Sequence, residues 1–386
     1  MCIHQIAKEL VRRGHSVTTV CYEDNSTVNE VDGVKIVRID IPGYLLPIES
    51  EFKLKIVLNH VKSIISRVTH LLSYPLRSKK MVRDYEKAVK NILNKKRNTS
   101  PTVIASYTPL EAVIAASNIK KYYNLKCVYY SADTISNEQG KSGVIPPLIR
   151  EYLGCKWEAK LFERFDEILI MECHKNYYFS IKYEKFIKKM KVVNFPLFHI
   201  SNYKANNVCK TATHKKIIYI GTLYKTLRNP QFVCNCMKEI MKYINFTLTF
   251  VGGGDCDDIL EQARRDSDQR IDFLGMQTYE IAQNLMASAD ILLSIGNNES
   301  PMAPSKIYEY MSTGKPIIHF YTDTDDPCII PLSNYGNALL VSEKKEICIK
   351  KLIDFISKSK QVDPGVISKH FESSKASFTA NYLESL

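Results

Sequence analysis

Residues 304–320 read PSKIYEYMSTGKPIIHF, and this stretch decides how the rest of the chain is interpreted. It predicts a loop, a short helix and a buried strand. Ser305 is a good N-cap, because its hydroxyl can accept a backbone N–H at the start of a helix. Gly314 followed by Lys315-Pro316 predicts the end of that helix. Together with the apolar strand that precedes it, the stretch indicates one repeat of an α/β fold.

One face of the predicted helix belongs to a core. Ile307, Tyr310 and Met311 follow at helical spacing. Glu309 comes two residues after Ile307, about 200° further round at 3.6 residues per turn, so its carboxylate should face water or a cleft. The first amides of the helix and the positive end of its dipole favour an anion, and Lys306 lies beside them. We therefore predict an anion site at the start of this helix.

PSKIYEYMSTGKPII resembles the signature of family 4 glycosyltransferases with the GT-B fold, in the form P-S-K-x-x-E-Y-M-x-x-G-K-P. The resemblance implies that the helix start at Pro304 and Ser305 holds a donor diphosphate and that Glu309 binds the nucleotide ribose. The usual family pattern has a second glutamate, for the donor sugar, where this chain has Pro301. Glu299, two residues away, is the candidate for that contact. The alternative is a capped surface helix with an incidental glutamate.

Length and composition describe an ordinary globular protein of two domains, with 386 residues, 45% hydrophobic and 24% charged. The 11 cysteines are scattered and contain no CxxC pair, which favours reduced thiols in a cytoplasm over disulfides or zinc ligands. No apolar run approaches the roughly 18 to 20 residues that span a bilayer, and the start shows no signal-peptide pattern. We expect a cytoplasmic protein.

The net charge of +12 is concentrated in one stretch. Between Lys53 and Arg97 there are 13 Lys or Arg against Asp84 and Glu86, a local excess of +11. Apolar residues are interleaved with the basic ones, partly at helical spacing, which predicts one or two basic amphipathic helices. Such a face could dock on the anionic inner leaflet, at about 1 kcal/mol per basic residue. A solvated lysine-rich face explains the pattern equally well. Nucleic acid is not expected, because no binding motif accompanies the patch.

The first half of the chain alternates helices and strands. Ile3, Ile6, Ala7, Leu10 and Val11 predict an amphipathic helix that ends at Gly14, and SVTTVCY predicts a buried strand. This opening resembles the first helix of the same family, where a strand and a glycine-rich loop come before it. We therefore expect that this chain starts later than the family pattern and lacks the first strand of the N-terminal sheet.

Acceptor-side candidates lie at the ends of the next strands. PTVIASYTP and KCVYYSAD predict two strands with a helix from Leu110 to about Tyr123 between them. This order indicates a parallel, doubly wound sheet, in which ligands gather at the carboxyl ends of strands. Tyr107 and Asp133 lie at such ends. A structural aspartate in a turn explains Asp133 equally well.

The second half opens with KKIIYIGTLY, a buried strand ending at Gly221. The resemblance implies that a basic residue seven positions beyond this glycine, here Arg228, binds the donor diphosphate. A guanidinium can do so with two hydrogen bonds. The family often has a second basic residue just after the glycine. This chain has Thr222 there, so Lys225 is the candidate for the second basic contact to the diphosphate.

Two further donor-side elements follow. FTLTFVGGGD predicts a strand and a tight turn in which Gly253 and its neighbours allow close backbone approach. The alternative is that the glycine run marks only a tight turn. After FLG, the resemblance implies that the backbone of Met276 meets the nucleotide base. Asp255-Cys256-Asp257 and Asp323-Thr324-Asp325 match the DxD pattern of metal-binding glycosyltransferases, but GT-B enzymes of this kind need no metal, so we predict none.

Taken together, the resemblance implies an α/β protein with the GT-B fold, two Rossmann-like domains of parallel sheet that face each other across a cleft. The predicted ranges are an acceptor-side domain at 1–197, a linker at 198–213, a nucleotide-sugar domain at 214–365 and a returning helix at 366–386. The implied reaction is sugar transfer with retention from a nucleotide-diphosphate sugar, with a UDP-sugar favoured and no cofactor. Arg228, Lys306 and Glu309 are the catalytic candidates.

The implied setting is the assembly of a bacterial surface polysaccharide on a lipid-linked acceptor at the inner face of the cell membrane. Two other functions stay open. One is a non-catalytic protein that binds nucleotide sugars, which Pro301 and Thr222 would suit. The other is a nucleotide-sugar epimerase on the same fold, although no set of carboxylates and histidine for that chemistry can be placed.

Overall fold

A computed structural model gives the structure of the protein and describes residues 2–22, 28–40, 74–95, 101–136, 146–199, 214–298, 303–346 and 348–386. The chain forms two compact units. The N-terminal unit consists of Met1–Asn194 with Ala380–Leu386, and the C-terminal unit of Phe195–Thr379. Each unit is built from β-strands and helices that alternate along the chain, as the sequence predicts.

The N-terminal unit contains two sheets. Strands β4 to β7 form a four-stranded parallel sheet in the order β4-β5-β6-β7, and β1, β3 and β2 form a three-stranded sheet in which β1 and β3 run parallel. The strands are β1 (Thr18–Tyr22), β2 (Glu30–Val31), β3 (Val34–Ile39), β4 (Thr102–Tyr107), β5 (Lys126–Ser131), β6 (Glu167–Met171) and β7 (Met190–Val193). The helices are α1 (Cys2–Arg12), α2 (Lys79–Lys95), α3 (Leu110–Ile119), α4 (Pro147–Phe162) and α5 (Lys175–Tyr178).

Helix α3 is shorter than the sequence predicts. It ends at Ile119 instead of near Tyr123, because the chain tightens into i to i+3 hydrogen bonds, with Tyr122 N–H donating to the Ile119 carbonyl at 2.9 Å. The Lys120 ammonium at this end binds Asp166 at 2.6 Å and so ties the turn to the start of β6. Among the described residues, the other predicted strands and helices of this half, including α1 and β1, are confirmed.

The C-terminal unit has one six-stranded parallel sheet, in the order β10-β9-β8-β11-β12-β13. Its strands are β8 (Lys215–Ile220), β9 (Phe246–Val251), β10 (Ile271–Phe273), β11 (Ile291–Ile295), β12 (Ile317–Tyr321) and β13 (Ala338–Ser342). Its helices are α6 (Gln231–Ile240), α7 (Asp257–Asp266), α8 (Tyr279–Ser288), α9 (Lys306–Ser312), α10 (Ile329–Tyr335), α11 (Ile349–Lys358) and α12 (Pro364–Ile367); α13 (Ala376–Glu384) follows.

This sheet reverses its order between β8 and β11. From β8 the chain builds outward through β9 and β10, and it then returns to β11 on the other side and continues through β12 and β13. In open parallel sheets, ligands bind outside the carboxyl ends of the strands at such a reversal. The central strands β8, β11 and β12 are almost fully buried and apolar, as expected for a sheet covered by helices on both faces.

The basic stretch is described only in its second half. Helix α2 buries Met81, Val82, Tyr85 and Leu93, and its lysines lie on the other side. Residues 53–73 and 96–97 of the predicted basic region lie outside the described residues, as do residues 200–213 of the predicted linker. Every helix within the described ranges is too short or too polar to cross a membrane.

The end of the chain is not one helix. Helix α12 passes into a 3₁₀ segment, Ser368–Ser374, and then into α13. The last seven residues belong to the N-terminal unit, where Glu384 binds Arg13 at 2.6 Å and the Tyr382 hydroxyl donates to Glu167 at 2.6 Å. The predicted domain limits remain predictions.

Candidate functional site

The loop after β8 places Arg228 at the reversal of the C-terminal sheet. The guanidinium donates to the Asn297 side-chain oxygen from Nε at 3.1 Å and from Nη2 at 2.6 Å, and to the Thr222 carbonyl from Nη1 at 3.1 Å. Asn297 is buried and follows β11 by two residues. The loops after β8 and β11, the two strands that flank the reversal, are therefore joined by this arginine and this asparagine. We call Arg228, Asn297 and Thr222 the arginine clamp.

Gly221 begins this loop for a steric reason. A Cβ atom there would lie 2.9 Å from the Tyr219 hydroxyl, which is buried and donates to the Thr222 carbonyl at 3.2 Å. The same hydroxyl lies 3.5 Å from Nη1 of Arg228. A side chain at position 221 would displace Tyr219 and thereby the carbonyl that orients the guanidinium.

The glycine run after β9 brings two loops into backbone contact. A Cβ on Gly252 would lie 1.9 Å from the Gly221 carbonyl oxygen, and one on Gly254 would lie 1.7 Å from that of Leu223. Both glycines have φ near +140°, at 147° and 141°. Leu223 N–H donates to the Gly253 carbonyl at 2.9 Å. The run therefore does more than form a turn, because it lets the two loops pack together.

Gly253 and Met276 also lie together. A Cβ on Gly253 would be 3.1 Å from Cγ of Met276, and this methionine follows β10 with 77% of its surface exposed. Three neighbouring loops, after β8, β9 and β10, thus meet at one edge and bring together the predicted Gly221, Thr222 and Gly253 with Met276. The role of each residue stays a prediction.

The signature helix α9 begins and ends where the sequence predicts, but it is capped differently. Ser305 occupies the N-cap position, as predicted, but it has helical dihedral angles and its side chain makes no capping hydrogen bond, so the predicted hydroxyl cap is wrong. The first turn is closed instead by main-chain bonds, with the Pro304 carbonyl accepting from Ile307 N–H at 3.1 Å. The predicted core face is confirmed, and the Tyr310 hydroxyl accepts from the Ile220 N–H at 2.7 Å, which ties α9 to the end of β8.

Of the two environments predicted for the Glu309 carboxylate, water is wrong and a ligand cleft stays a prediction. The residue is fully buried because α8 covers the side of α9 that the spacing assigned to solvent. Its Oε2 accepts from Lys306 Nζ at 2.8 Å and from Gln283 of α8 at 3.1 Å. Its Oε1 is buried without a hydrogen-bond partner. An unpaired buried carboxylate oxygen is costly, so this atom is a strong candidate for a ligand contact.

The remaining donor-side candidates lie apart from the clamp or outside the described residues. Lys225 is exposed and binds Asp258 of α7 at 2.7 Å, a contact that raises the pKa of this lysine. Its N–H donates to Asp255, the first residue of one predicted DxD pattern, at 2.7 Å. Glu299 and Pro301 lie outside the described residues.

The acceptor-side candidates lie in the N-terminal unit. Tyr107 ends β4 and is paired with Ser131, which ends β5. The Ser131 hydroxyl donates to the Asp133 carbonyl at 3.1 Å. Both residues therefore stand at the carboxyl edge of the parallel sheet, as predicted, and their role stays a prediction.

The loop after β5 is fixed by a buried carboxylate that sequence reasoning missed. Glu158 of α4 accepts from Ile135 N–H at 2.6 Å and from the hydroxyls of Tyr177, Tyr178 and Tyr183. Burial raises the pKa of Glu158, while these hydrogen bonds act in the opposite direction. The helix carried no sequence signal for this role, since one glutamate among polar helix residues is usually exposed.

Two residues of the C-terminal site were also missed. Asn297 occurs in GNN directly after the strand ADILLSI, so its position at a strand end was a usable signal. Gln283 lies within an ordinary amphipathic helix, and only the packing of α8 on α9 brings it to Glu309.

Solved glycosyltransferase structures share this fold. Sucrose-phosphate synthase from Thermosynechococcus elongatus gives a TM-score of 0.63 at 12% identity, covering 99% of this chain and 91% of that one. HepE from Anabaena, in complex with UDP and glucose, gives 0.59 at 14% identity, covering 100% and 95%. WaaG, a glycosyltransferase of lipopolysaccharide biosynthesis, gives 0.54 at 13% identity, covering 99% and 94%. At these identities the likeness shows the fold, which is the predicted GT-B fold.

The C-terminal unit matches a family model as well. Residues 214–357 match Glycosyl transferases group 1, a range that contains the arginine clamp and α9. A search of the curated proteins gave no match. Residues 214–357 therefore match a group 1 glycosyltransferase domain, and this match together with the shared fold supports glycosyltransferase activity. The predicted recognition as a GT-B, group 1 type glycosyltransferase is confirmed.

Proposed function

We propose that the protein transfers a sugar from a nucleoside-diphosphate sugar to an acceptor hydroxyl, with retention at the anomeric carbon. The observation that carries this proposal is the arginine clamp at the reversal of the C-terminal sheet. Its guanidinium is fixed by Asn297 and Thr222 at the place where parallel sheets bind ligands. An oriented guanidinium suits a diphosphate, which it can bind with two hydrogen bonds.

In the proposed reaction, the bond between the anomeric carbon and the donor phosphate oxygen breaks, and a bond from that carbon to the acceptor oxygen forms on the same face. The departing phosphate oxygen takes the acceptor proton. Arg228, Lys306 and the start of α9 would stabilise the charge that develops on the diphosphate, by preorganised electrostatics. The proposed mechanism uses no metal ion.

The donor of first choice is a UDP-sugar. HepE, which shares the fold, has been solved with UDP and with UDP-glucose. In this chain the unpaired Oε1 of Glu309 would accept a hydrogen bond from the ribose. Lys306 would then have two roles, since its ammonium already binds Oε2 of the same carboxylate and so holds it in place.

The acceptor of first choice is a lipid-linked saccharide in the assembly of a bacterial surface polysaccharide. The basic face of α2 supports this choice, because it can hold the protein at an anionic membrane surface where such acceptors reside. WaaG, which has the same fold, acts in lipopolysaccharide biosynthesis. We therefore propose that the protein acts at the inner face of the cell membrane, as a peripheral protein.

The test begins with donor turnover. The full chain is incubated with UDP-glucose, UDP-galactose and GDP-mannose, without acceptor and with membrane lipid extract, and free nucleoside diphosphate is measured. Turnover that Arg228→Ala abolishes supports the proposal, and the anomeric signal of the product by NMR tests retention. Unchanged turnover in the presence of EDTA would support the metal-free mechanism. Arg264→Ala, which changes an arginine of α7 that pairs with Asp272, is the matched control.

The two other functions give different results in the same assay. A protein that only binds nucleotide sugars would show affinity for UDP and no turnover with any donor or acceptor. An epimerase would invert a carbon of the free sugar nucleotide, which NMR of the remaining donor detects. Either result would overturn the transferase proposal.

A further inference from the structure

A buried histidine and aspartate lie just behind the arginine clamp. His319 of β12 and Asp326 of the following loop are both fully inaccessible, with Nε2 and Oδ2 3.3 Å apart. Nδ1 of His319 lies 3.0 Å from the Ser294 hydroxyl of β11, and Oδ1 of Asp326 accepts from Cys328 N–H at 2.7 Å. Burial acts to raise the pKa of Asp326, but the His319 contact and the Cys328 N–H hold it below its ordinary value.

Such a pair is expensive to bury and adds little stability compared with apolar side chains. Its position indicates what it does. Oδ2 of Asp326 packs so closely on Gly296 that a Cβ there would lie 1.9 Å away. Gly296 immediately precedes Asn297, the residue that binds the guanidinium of Arg228. Asp326 therefore packs directly against the turn 296–298.

The same turn is held at two more points. Gly296 N–H donates to the Phe320 carbonyl of β12 at 2.8 Å, and the Thr322 hydroxyl donates to the Asn298 side chain. On its other side, Asn298 N–H donates to the Leu227 carbonyl at 2.7 Å, next to Arg228. Contacts therefore run without interruption from the buried pair, through the turn, to the guanidinium.

We propose that His319 and Asp326 are positioning residues that fix the turn 296–298, so that Asn297 presents Arg228 to the donor diphosphate. This inference rests on the proposed function. Asp326 occupies the space beside Gly296, and its carboxylate is held in that place by His319 and by the Cys328 N–H. His319 binds that carboxylate and orients it toward the turn, and Ser294 fixes the ring.

His319, Asp326 and Cys328 are also the one group in the described part of the chain whose ligand atoms are spaced for a metal ion, within 4.8 Å of one another. The Asp326 carboxylate already has hydrogen-bond partners for both oxygens, which favours positioning over metal binding. The experiment distinguishes the two.

The experiment is a double-mutant cycle read out by calorimetric affinities for UDP and for uridine. Asp326→Asn keeps the size of the side chain and removes its charge. We expect it to weaken UDP binding at least about threefold, within the range of coupled neighbours, and to leave uridine binding unchanged. In an Arg228→Ala background the same change should have no further effect on UDP. Asp325→Asn, an exposed acid of the same loop, should match the wild type in both affinities.

Thr322→Val is a milder change that loosens the same turn from outside the core, and it should also weaken UDP and not uridine. Thr322→Val therefore still tests the positioning role if Asp326→Asn lowers the folded yield. The inference is overturned if Asp326→Asn and Thr322→Val both leave UDP affinity unchanged, if UDP and uridine weaken equally, or if the effects of Asp326→Asn and Arg228→Ala simply add. It is also overturned, in favour of a metal centre, if EDTA weakens UDP binding and Zn²⁺ restores it.

The same measurements give a different result if the proposed function itself is wrong. If Arg228→Ala itself leaves UDP affinity and turnover unchanged, Arg228 does not bind the diphosphate and the proposed donor site is wrong. If Arg228→Ala weakens UDP binding while the cycle shows no coupling, only the positioning role is lost.

Discussion

Replacing Glu309 with glutamine should weaken nucleotide binding with little effect on stability. Oε2 of Glu309 accepts from Lys306 at 2.8 Å and Gln283 at 3.1 Å, while Oε1 has no hydrogen-bond partner. Glutamine has nearly the same shape, and its oxygen can keep the bonds to Lys306 and Gln283. The group that would face the ribose then changes from a charged acceptor to a neutral amide.

The size of the effect follows from the number of bonds that change. Only Oε1 is available to a ligand, so the substitution changes one ligand hydrogen bond to a charged group. A bond to a charged group contributes about 1.5–3 kcal/mol and a neutral one about 0.5–1.5 kcal/mol. Their difference, about 1 to 1.5 kcal/mol, corresponds to about a tenfold loss of affinity. The free energy of unfolding should change by less than about 1 kcal/mol, because Lys306 is partly exposed and can be solvated.

The assay is titration calorimetry with UDP and with uridine, alongside thermal unfolding. Because the predicted contact is to the ribose, both ligands should weaken by the same factor, whereas Arg228→Ala should affect UDP alone. Glu280→Gln, an exposed acid on α8, is the control and should change neither. Unchanged UDP affinity in Glu309→Gln would remove this carboxylate from the site. A loss confined to UDP would refute the ribose contact and move it to the diphosphate.

Three further predictions address the loops, a buried histidine and the basic helix. Gly254→Ala should lower the free energy of unfolding by at least about 2 kcal/mol, because the new Cβ meets the Leu223 carbonyl. The control Gly275→Ala, with φ of 64° and no atom within 4 Å, should lower it by only about 1 kcal/mol. Equal losses in denaturant melts would contradict the steric argument. Burial lowers the pKa of His174 to about 4, so the protein should lose up to about 3 kcal/mol of stability as the pH falls from about 6.5 towards 4. His174→Phe should flatten that part of the stability profile. An unchanged profile would show that another group causes the loss. Replacing the basic residues of α2 by glutamine should weaken binding to vesicles that contain anionic lipid and should remove the salt dependence of that binding. Unchanged sedimentation with vesicles would indicate that the basic side of α2 is only a solvated face.

The parts that the sequence predicted correctly are those with a local signal. The apolar runs KKIIYI, FTLTFV and ADILLSI gave their strands because a strand buried on both faces is apolar along its whole length. The alternation of these runs with amphipathic helices predicted the parallel sheets. The signature around α9 led to the glycosyltransferase assignment, and its core residues Ile307, Tyr310 and Met311 are buried as the spacing requires.

The sequence by itself thus determined most of the strands and helices and the class of protein, because these depend on neighbours along the chain. Only the tertiary structure decided the environment of the site. Glu309 is buried because a separate helix, α8, covers the face that its own helix spacing leaves open. Arg228 meets Asn297, 69 positions away, because β8 and β11 are adjacent in the sheet although two other strands separate them in the chain. Hydrogen bonds and close packing between distant segments have no period in the sequence, so only the folded chain reveals them.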